Sequence, residues 1–253
     1  MRTLKKFSVC VLLILTTLFV QESHGGVHQI PPVVRVVCFQ SADIDKPTAD
    51  DLQFYTTVIM HTQKYYQNEM IRHGYGSKTF TIDRKENGQV NIVVVRGTKK
   101  LRAYTTWEIL VDDFPNKDRL IQGDHDNIQV IFLLGASFFE GLDGLQIRTC
   151  WGNDCLHNAV IPTAVTVKMF RVTAHELGHC FWLDHNPREG LLMHRFGVVD
   201  ADNPQKIGPL SAEEAALLDK HRYFVQIPVI EEKDAAIELS NPLPVLWGNL
   251  KAR

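Results

Sequence analysis

Three histidines and a glutamate stand in one short run, His175-Glu-Leu-Gly-His179-Cys-Phe-Trp-Leu-Asp-His185. Imidazole nitrogens are good ligands for zinc. On a helix, residues four apart lie one turn apart on one face, so His175 and His179 can reach a single ion. Glu176, beside the first of them, can take a proton from a zinc-activated water without itself being a ligand. His185, six residues after His179, offers a third nitrogen once the chain has turned out of the helix. Three protein ligands with a fourth position open describe a catalytic zinc, whereas structural sites close all four. The chemistry expected from this run is metal-assisted hydrolysis, with the peptide bond as the first candidate.

The elements that must hold these residues are legible around them. Phe170, Ala174, Leu177 and Phe181 recur at spacings of four, three and four, an apolar stripe with His175 and His179 on the opposite face. A helix over about residues 165–182 follows. Upstream, residues 33–39 read as a buried strand, and Thr48 with Asp51 forms a capping-box variant that opens a long helix ended by Gly74. Strands near residues 78–83 and 90–96 are joined by a turn through Glu86-Asn87-Gly88 that suits a hairpin. A polar helical or irregular stretch spans about Tyr104 to Phe114. Residues 127–134 form the clearest central strand. Residues 135–162 are glycine-rich and irregular, with a candidate edge strand near residues 145–150. Past Met193, Ser211 and Glu214 make a second capping box and start a helix to about residue 222.

The run HELGHCFWLDHNPREGLLMHR resembles the metzincins, and among them the matrixin-like zinc endopeptidases. Their pattern is H-E-x-x-H-x-x-G-x-x-H followed by a methionine-containing turn. Met193 lies eight residues after His185, and the pairs Leu183-Asp184 and Leu192-Met193 match as well. The resemblance implies that His175, His179 and His185 bind zinc. It also implies that Glu176 is the general base and that Met193 forms a hydrophobic floor under the metal. It further implies an α+β metzincin-like domain: a twisted mixed sheet with a long N-terminal helix, an active-site helix and a C-terminal helix. In such domains the edge strand borders the cleft, and substrate adds to it as another strand.

The chain departs from the pattern at two positions. Trp182 stands where the family has glycine, whose free access to positive φ lets the chain turn sharply after the helix. Either the turn is made differently, with Trp182 covering the site, or His185 is displaced and Asp184 becomes the fallback ligand. Arg195 stands two residues after the methionine, where some branches carry a tyrosine that assists the transition state.

Composition sets the remaining bounds. Arg2, Lys5 and Lys6 precede an apolar run from Phe7 to Val20, and Ser23-His24-Gly25 offers a small-x-small cleavage site. Residues 1–25 are therefore expected to be a signal peptide, and the protein to be secreted and extracellular. The remaining 24 basic and 28 acidic residues carry a formal charge of −4, which argues against nucleic acid or an anionic membrane as partner. Cys38, Cys150, Cys155 and Cys180 remain after cleavage. An even number in an exported chain favours disulfides, with Cys150–Cys155 and Cys38–Cys180 as the natural pairing and four free buried thiols as the alternative. Calcium is a candidate for the acidic clusters at Asp124–Asp126, Asp143, Asp154 and Asp200–Asp202, but none has EF-hand spacing.

The expected organisation is a signal peptide over 1–25, a metalloprotease domain over 26–227 and a C-terminal tail over 228–253. The expected function is a secreted zinc-dependent endopeptidase acting on protein or peptide substrates, with a non-enzymatic zinc-holding or inhibitor-like domain as the alternative. A third reading replaces His185 as third ligand by a downstream glutamate, Glu189, Glu213 or Glu214.

Overall fold

The computed structural model of the chain describes residues 32–114, 128–136, 144–151, 154–164, 168–195 and 206–231, with only the backbone for 148–151 and 154–156. The expected signal peptide with Cys10, the acidic clusters at Asp124–Asp126, Asp143 and Asp200–Asp202, and the tail beyond residue 231 lie outside these residues. So does the side chain of Asp154.

The first strand, β1 (Val33–Gln40), is a nearly continuous apolar run. Such a run forms where both faces of a parallel sheet are covered. Strand β1 pairs in parallel with β3 (Thr81–Ile82) and β4 (Ile92–Arg96) along one side and with β5 (Ile128–Leu133) along the other. All six residues of β5 are buried. Strand β7 (Asp154–Pro162) pairs in parallel with β5, and β6 (Leu145–Trp151) runs antiparallel to β7 at the end of the strand order. A separate antiparallel pair joins β2 (Lys78–Thr79) to β8 (Val225–Gln226).

Parallel neighbours need crossover connections, and helices supply them. Helix α1 (Ala49–Arg72) crosses from β1 toward β3 and starts on the expected capping box: Thr48 accepts from the Asp51 amide while Asp51 accepts from the Thr48 amide. Tyr55, Val58, Ile59, Tyr66 and Met70 turn its apolar face to the sheet. The same core takes in the helix carrying the histidines, α3 (Met169–Cys180), with Phe170, Ala174 and Leu177 buried. The opposite sheet face is covered by a short 3-10 turn (Leu101–Ala103), Tyr104, helix α2 (Trp107–Asp112) and Phe114. Helix α4 (Ala212–Asp219) begins on the second expected capping box, Ser211 with Glu214. The mixed sheet, the long first helix, the site helix and the C-terminal helix make up the expected α+β architecture.

Three expectations are corrected. The turn through Glu86-Asn87-Gly88 exists, closed by the Gly88 amide on the Lys85 carbonyl and an isolated Arg84–Val90 bridge. It does not join two strands of a hairpin, because β3 and β4 pair in succession along the same side of β1. It is an excursion from one interrupted edge strand. Second, the irregular reading of residues 135–162 missed β7, whose central His157 and Asn158 break the apolar pattern although both are buried. Third, Cys38 and Cys180 are free and buried, not bonded to each other. Burial pushes the Cys38 thiol up to about 12 and the Cys180 thiol well above the usual cysteine range. Cys150 and Cys155 face each other as Cα partners in the β6–β7 ladder, and their side chains lie outside the described residues.

A thiolate is what reacts, so protonated buried thiols are inert. Alkylation followed by mass spectrometry should therefore leave Cys38 and Cys180 untouched in the native protein and modify both after denaturation without reductant. Modification that requires reductant would show a disulfide.

Candidate metal centre

Helix α3 presents His175 and His179 one turn apart, as the spacing predicts, and the chain then returns His185 to meet them. One nitrogen from each of the three rings lies within 4.8 Å of the others. Among the described residues this is the single cluster of His, Cys, Asp or Glu that could hold a metal ion. The His179 and His185 Nε2 atoms are 3.2 Å apart. Two ligands on one tetrahedral zinc, each at roughly 2.0–2.1 Å, would be separated by about 3.3 Å, so that spacing suits a shared ion.

The other ring nitrogen of two histidines is already committed. His175 Nδ1 is 2.8 Å from the Leu192 carbonyl oxygen, and His179 Nδ1 is 2.7 Å from the Leu183 carbonyl oxygen. A carbonyl can only accept, so each Nδ1 carries the proton and each Nε2 is left with a free lone pair. Burial pushes the His175 imidazole down to about 4, helped by the neighbouring His179 and His185, and burial likewise lowers His179. Both rings are thus neutral near pH 7, the form that binds a metal.

The return of His185 depends on how α3 ends. The Trp182 amide donates to the His179 carbonyl and the Leu183 amide to the Gly178 carbonyl, both at 3.0 Å. These are the two bonds of a Schellman cap, with Phe181 at the cap position and Trp182 at the left-handed position that glycine usually fills. Trp182 has φ 67°, and among the described residues it alone is a non-glycine with positive φ. The turn is therefore the one a glycine would make, with a tryptophan bearing the strain. The indole does not cover the imidazoles: its ring contacts are with His157 and His221, and the residue is 64% exposed. Asp184, the fallback ligand, is not in the cluster.

The same cap orients the His179 ring, since the Leu183 carbonyl that receives the His179 proton belongs to the residue fixed by Gly178. The turn containing Met193 orients the His175 ring, through the Leu192 carbonyl. Met193 is fully buried, and a Cβ added at Gly178 would collide with its Sδ. The Asn186 amide donates to the Met193 carbonyl at 2.8 Å, which closes the loop between His185 and the methionine. The Asn186 side chain donates at 3.0 Å to Glu214, whose other oxygen accepts from the Ser211 amide. Glu214 is thus spent on a helix cap and on the loop. None of Glu189, Glu213 or Glu214 joins the imidazole cluster.

Glu176 points between α3 and the edge strand. It is buried, lies against Gly144 and accepts a hydrogen bond from the Gln146 backbone. Burial pushes its carboxyl up to about 7, and the Gln146 bond opposes that rise. A carboxyl poised near neutrality can both take up and return a proton.

The sequence reading left several contributors unassigned. The Leu183 and Leu192 carbonyls carry no residue-type signal, because any residue supplies one. Gln146, His157 and His221 come from three separate segments, so no spacing connects them to the motif, and Asn186, although it follows His185 directly, carries no ligand chemistry that would single it out.

No family model and no curated protein matches this chain. Among solved structures it is similar to wild-type OgpA from Akkermansia muciniphila, with TM-score 0.56 and 20% identity over 78% of this chain and 63% of that one. The fold is metzincin-like. A catalytically inactive OgpA in complex with an O-glycopeptide substrate, glycodrosocin, matches with TM-score 0.51 and 18% identity, over 78% of this chain and 62% of that one. The chain thus spans less than two thirds of the OgpA chain. Archaemetzincin from Methanopyrus kandleri gives TM-score 0.40 and 14% identity over 76% of this chain and 96% of that one.

The contact between Gly178 and Met193 yields a direct prediction. Gly178→Ala forces apart the helix end and the methionine turn, and overpacking of this kind costs about 1–3 kcal/mol. Denaturant unfolding should show that loss, and zinc titration of the same variant should show weakened binding. Unchanged stability and affinity would mean that the two elements are not locked together.

Proposed function

We propose that this chain is a zinc-dependent endopeptidase, matrixin-like in the order of its ligands, with His175, His179 and His185 holding the metal and Glu176 as general base. The observation that carries this reading is the convergence of three imidazoles, two with their protons fixed on carbonyls, beside a buried carboxyl near its neutral point. Structural zinc sites close all four positions, and a three-imidazole set leaves one open for reaction. Bound zinc would supply Lewis acidity and a water of lowered pKa.

The chain's own residues do the rest. Glu176 takes the proton of the attacking water and delivers it to the leaving amine, a cycle suited to a carboxyl held near 7. Leu183 and Leu192 keep the two helix imidazoles in the tautomer that faces the metal. The edge strand β6 borders Glu176 through Gln146, and an extended peptide can add to such an edge by main-chain hydrogen bonds. The O-glycopeptide seen with OgpA supports a peptide substrate for this fold.

We further propose that residues 1–25 are removed on export and that the enzyme works outside the cell. Among the described residues no helix is long and apolar enough to cross a membrane. The non-enzymatic alternative requires a blocked cleft, and the orientation of Trp182 away from the imidazoles speaks against one.

Glu176→Gln should abolish hydrolysis of a peptide library while the protein still binds one zinc, measured by elemental analysis. His185→Ala should lose both zinc and activity. Full activity in the Glu176 variant would overturn the mechanism, and zinc binding by a wild-type protein that cleaves no peptide would favour the non-enzymatic reading.

A further inference from the structure

Trp182 pays twice for its place. A left-handed backbone on a bulky residue costs energy that glycine would avoid. Exposing 64% of a tryptophan forgoes burial that most large aromatics obtain. The turn needs the backbone conformation but not the indole, and the core does not need it either, since Phe181 and Leu183 on either side are the buried ones. The side chain is nevertheless held. Its Nε1–H points at His157 Nε2 across 3.4 Å, and its ring meets that of His221 nearly perpendicularly, at 86° and 5.5 Å. His221 in turn stacks on Tyr223, over which the Arg222 guanidinium lies at 5.7 Å.

A strained, exposed and anchored indole is thereby tied to the edge strand beside the site, since the other ring nitrogen of His157 lies 3.4 Å from the Gln146 side chain, whose backbone meets Glu176. We propose that Trp182 is a specificity-determining residue that stacks against an aromatic side chain of the peptide near the scissile bond. This rests on the endopeptidase reading above.

The chemistry of the exposed surface selects the ligand. The one polar atom of the indole is turned to His157, so what remains is π and apolar surface with no donor for a sugar hydroxyl or a backbone carbonyl. A cationic side chain would approach the end of a stack, Trp182 on His221 and His221 on Tyr223, that already carries the Arg222 guanidinium. A neutral aromatic ring suffers no such penalty, and aromatic pairs gain about 0.5–1.5 kcal/mol beyond their burial. Because the ring is fixed before substrate arrives, little ordering entropy is lost on contact.

Trp182→Gly tests this without threatening the fold, since glycine suits positive φ. With the zinc-loaded full chain and matched peptides carrying Phe or Leu at each position in turn, the wild type should prefer Phe at one position by about three- to tenfold in kcat/KM, the size of one aromatic pair. The variant should lose that preference through a larger rise in KM for the Phe peptide than for the Leu peptide, and unfold at the same or a higher temperature. Binding of the same peptides to the Glu176→Gln protein, followed by intrinsic fluorescence, reads the contact independently of turnover. A wild type that hydrolyses no peptide but binds Phe peptides more tightly than Leu peptides sinks the endopeptidase reading and keeps the aromatic platform. An unchanged preference in Trp182→Gly, or a stronger preference for a glycosylated residue than for Phe, overturns the assignment.

Discussion

The centre depends on one backbone residue in a left-handed conformation. Trp182 lets the chain leave α3 by a Schellman cap, and three consequences follow from that single turn. The Leu183 amide is returned to Gly178, the Leu183 carbonyl is placed over His179 Nδ1, and His185 is brought within 3.2 Å of His179. Without positive φ at this position the chain would leave the helix in another direction, and the third imidazole would not meet the other two. The strain of a non-glycine here, of order 1–3 kcal/mol, is offset by the packing around it: Phe181 and Leu183 are buried, and Met193 lies against Gly178.

Around this turn, elements distant in sequence each fix one part of the site. The methionine turn gives His175 its carbonyl, α4 holds the loop after His185 through Glu214 and Asn186, and β6 supplies the backbone contact to Glu176. Helix α1 ties the site helix to the core from behind, where the Tyr66 hydroxyl donates to the Ala174 carbonyl at 2.8 Å. The result is a helix buried on nearly every side, with its two histidines at the remaining opening.

Much of this was legible in the sequence, and physics explains where it stopped being so. The capping boxes at Thr48 and Ser211 involve residues three apart, so they read directly. The spacing of the histidines on α3 is local for the same reason. The fully buried strand β5 reads as an unbroken apolar run, whereas β7 hides because His157 and Asn158 sit at its centre. The strand pairing of β3 and β4 with β1 is set by tertiary packing, which a turn motif alone does not encode. Pairing Cys38 with Cys180 followed from counting cysteines, but both thiols are filled into the core as small apolar groups. The sequence singled out Trp182 as the hinge after the helix, and its positive φ bears that out. What the sequence could not show is that a tryptophan there would adopt the glycine conformation and leave the metal site open.

The central claim is that three imidazoles, and no other protein group, converge on one zinc with a position left over. X-ray absorption at the zinc edge of the purified protein tests it most directly. The account predicts three nitrogen ligands and one further light atom, all near 2.0–2.1 Å. A sulfur shell near 2.3 Å, a closed shell of four protein ligands, or fewer than three histidine nitrogens would contradict it.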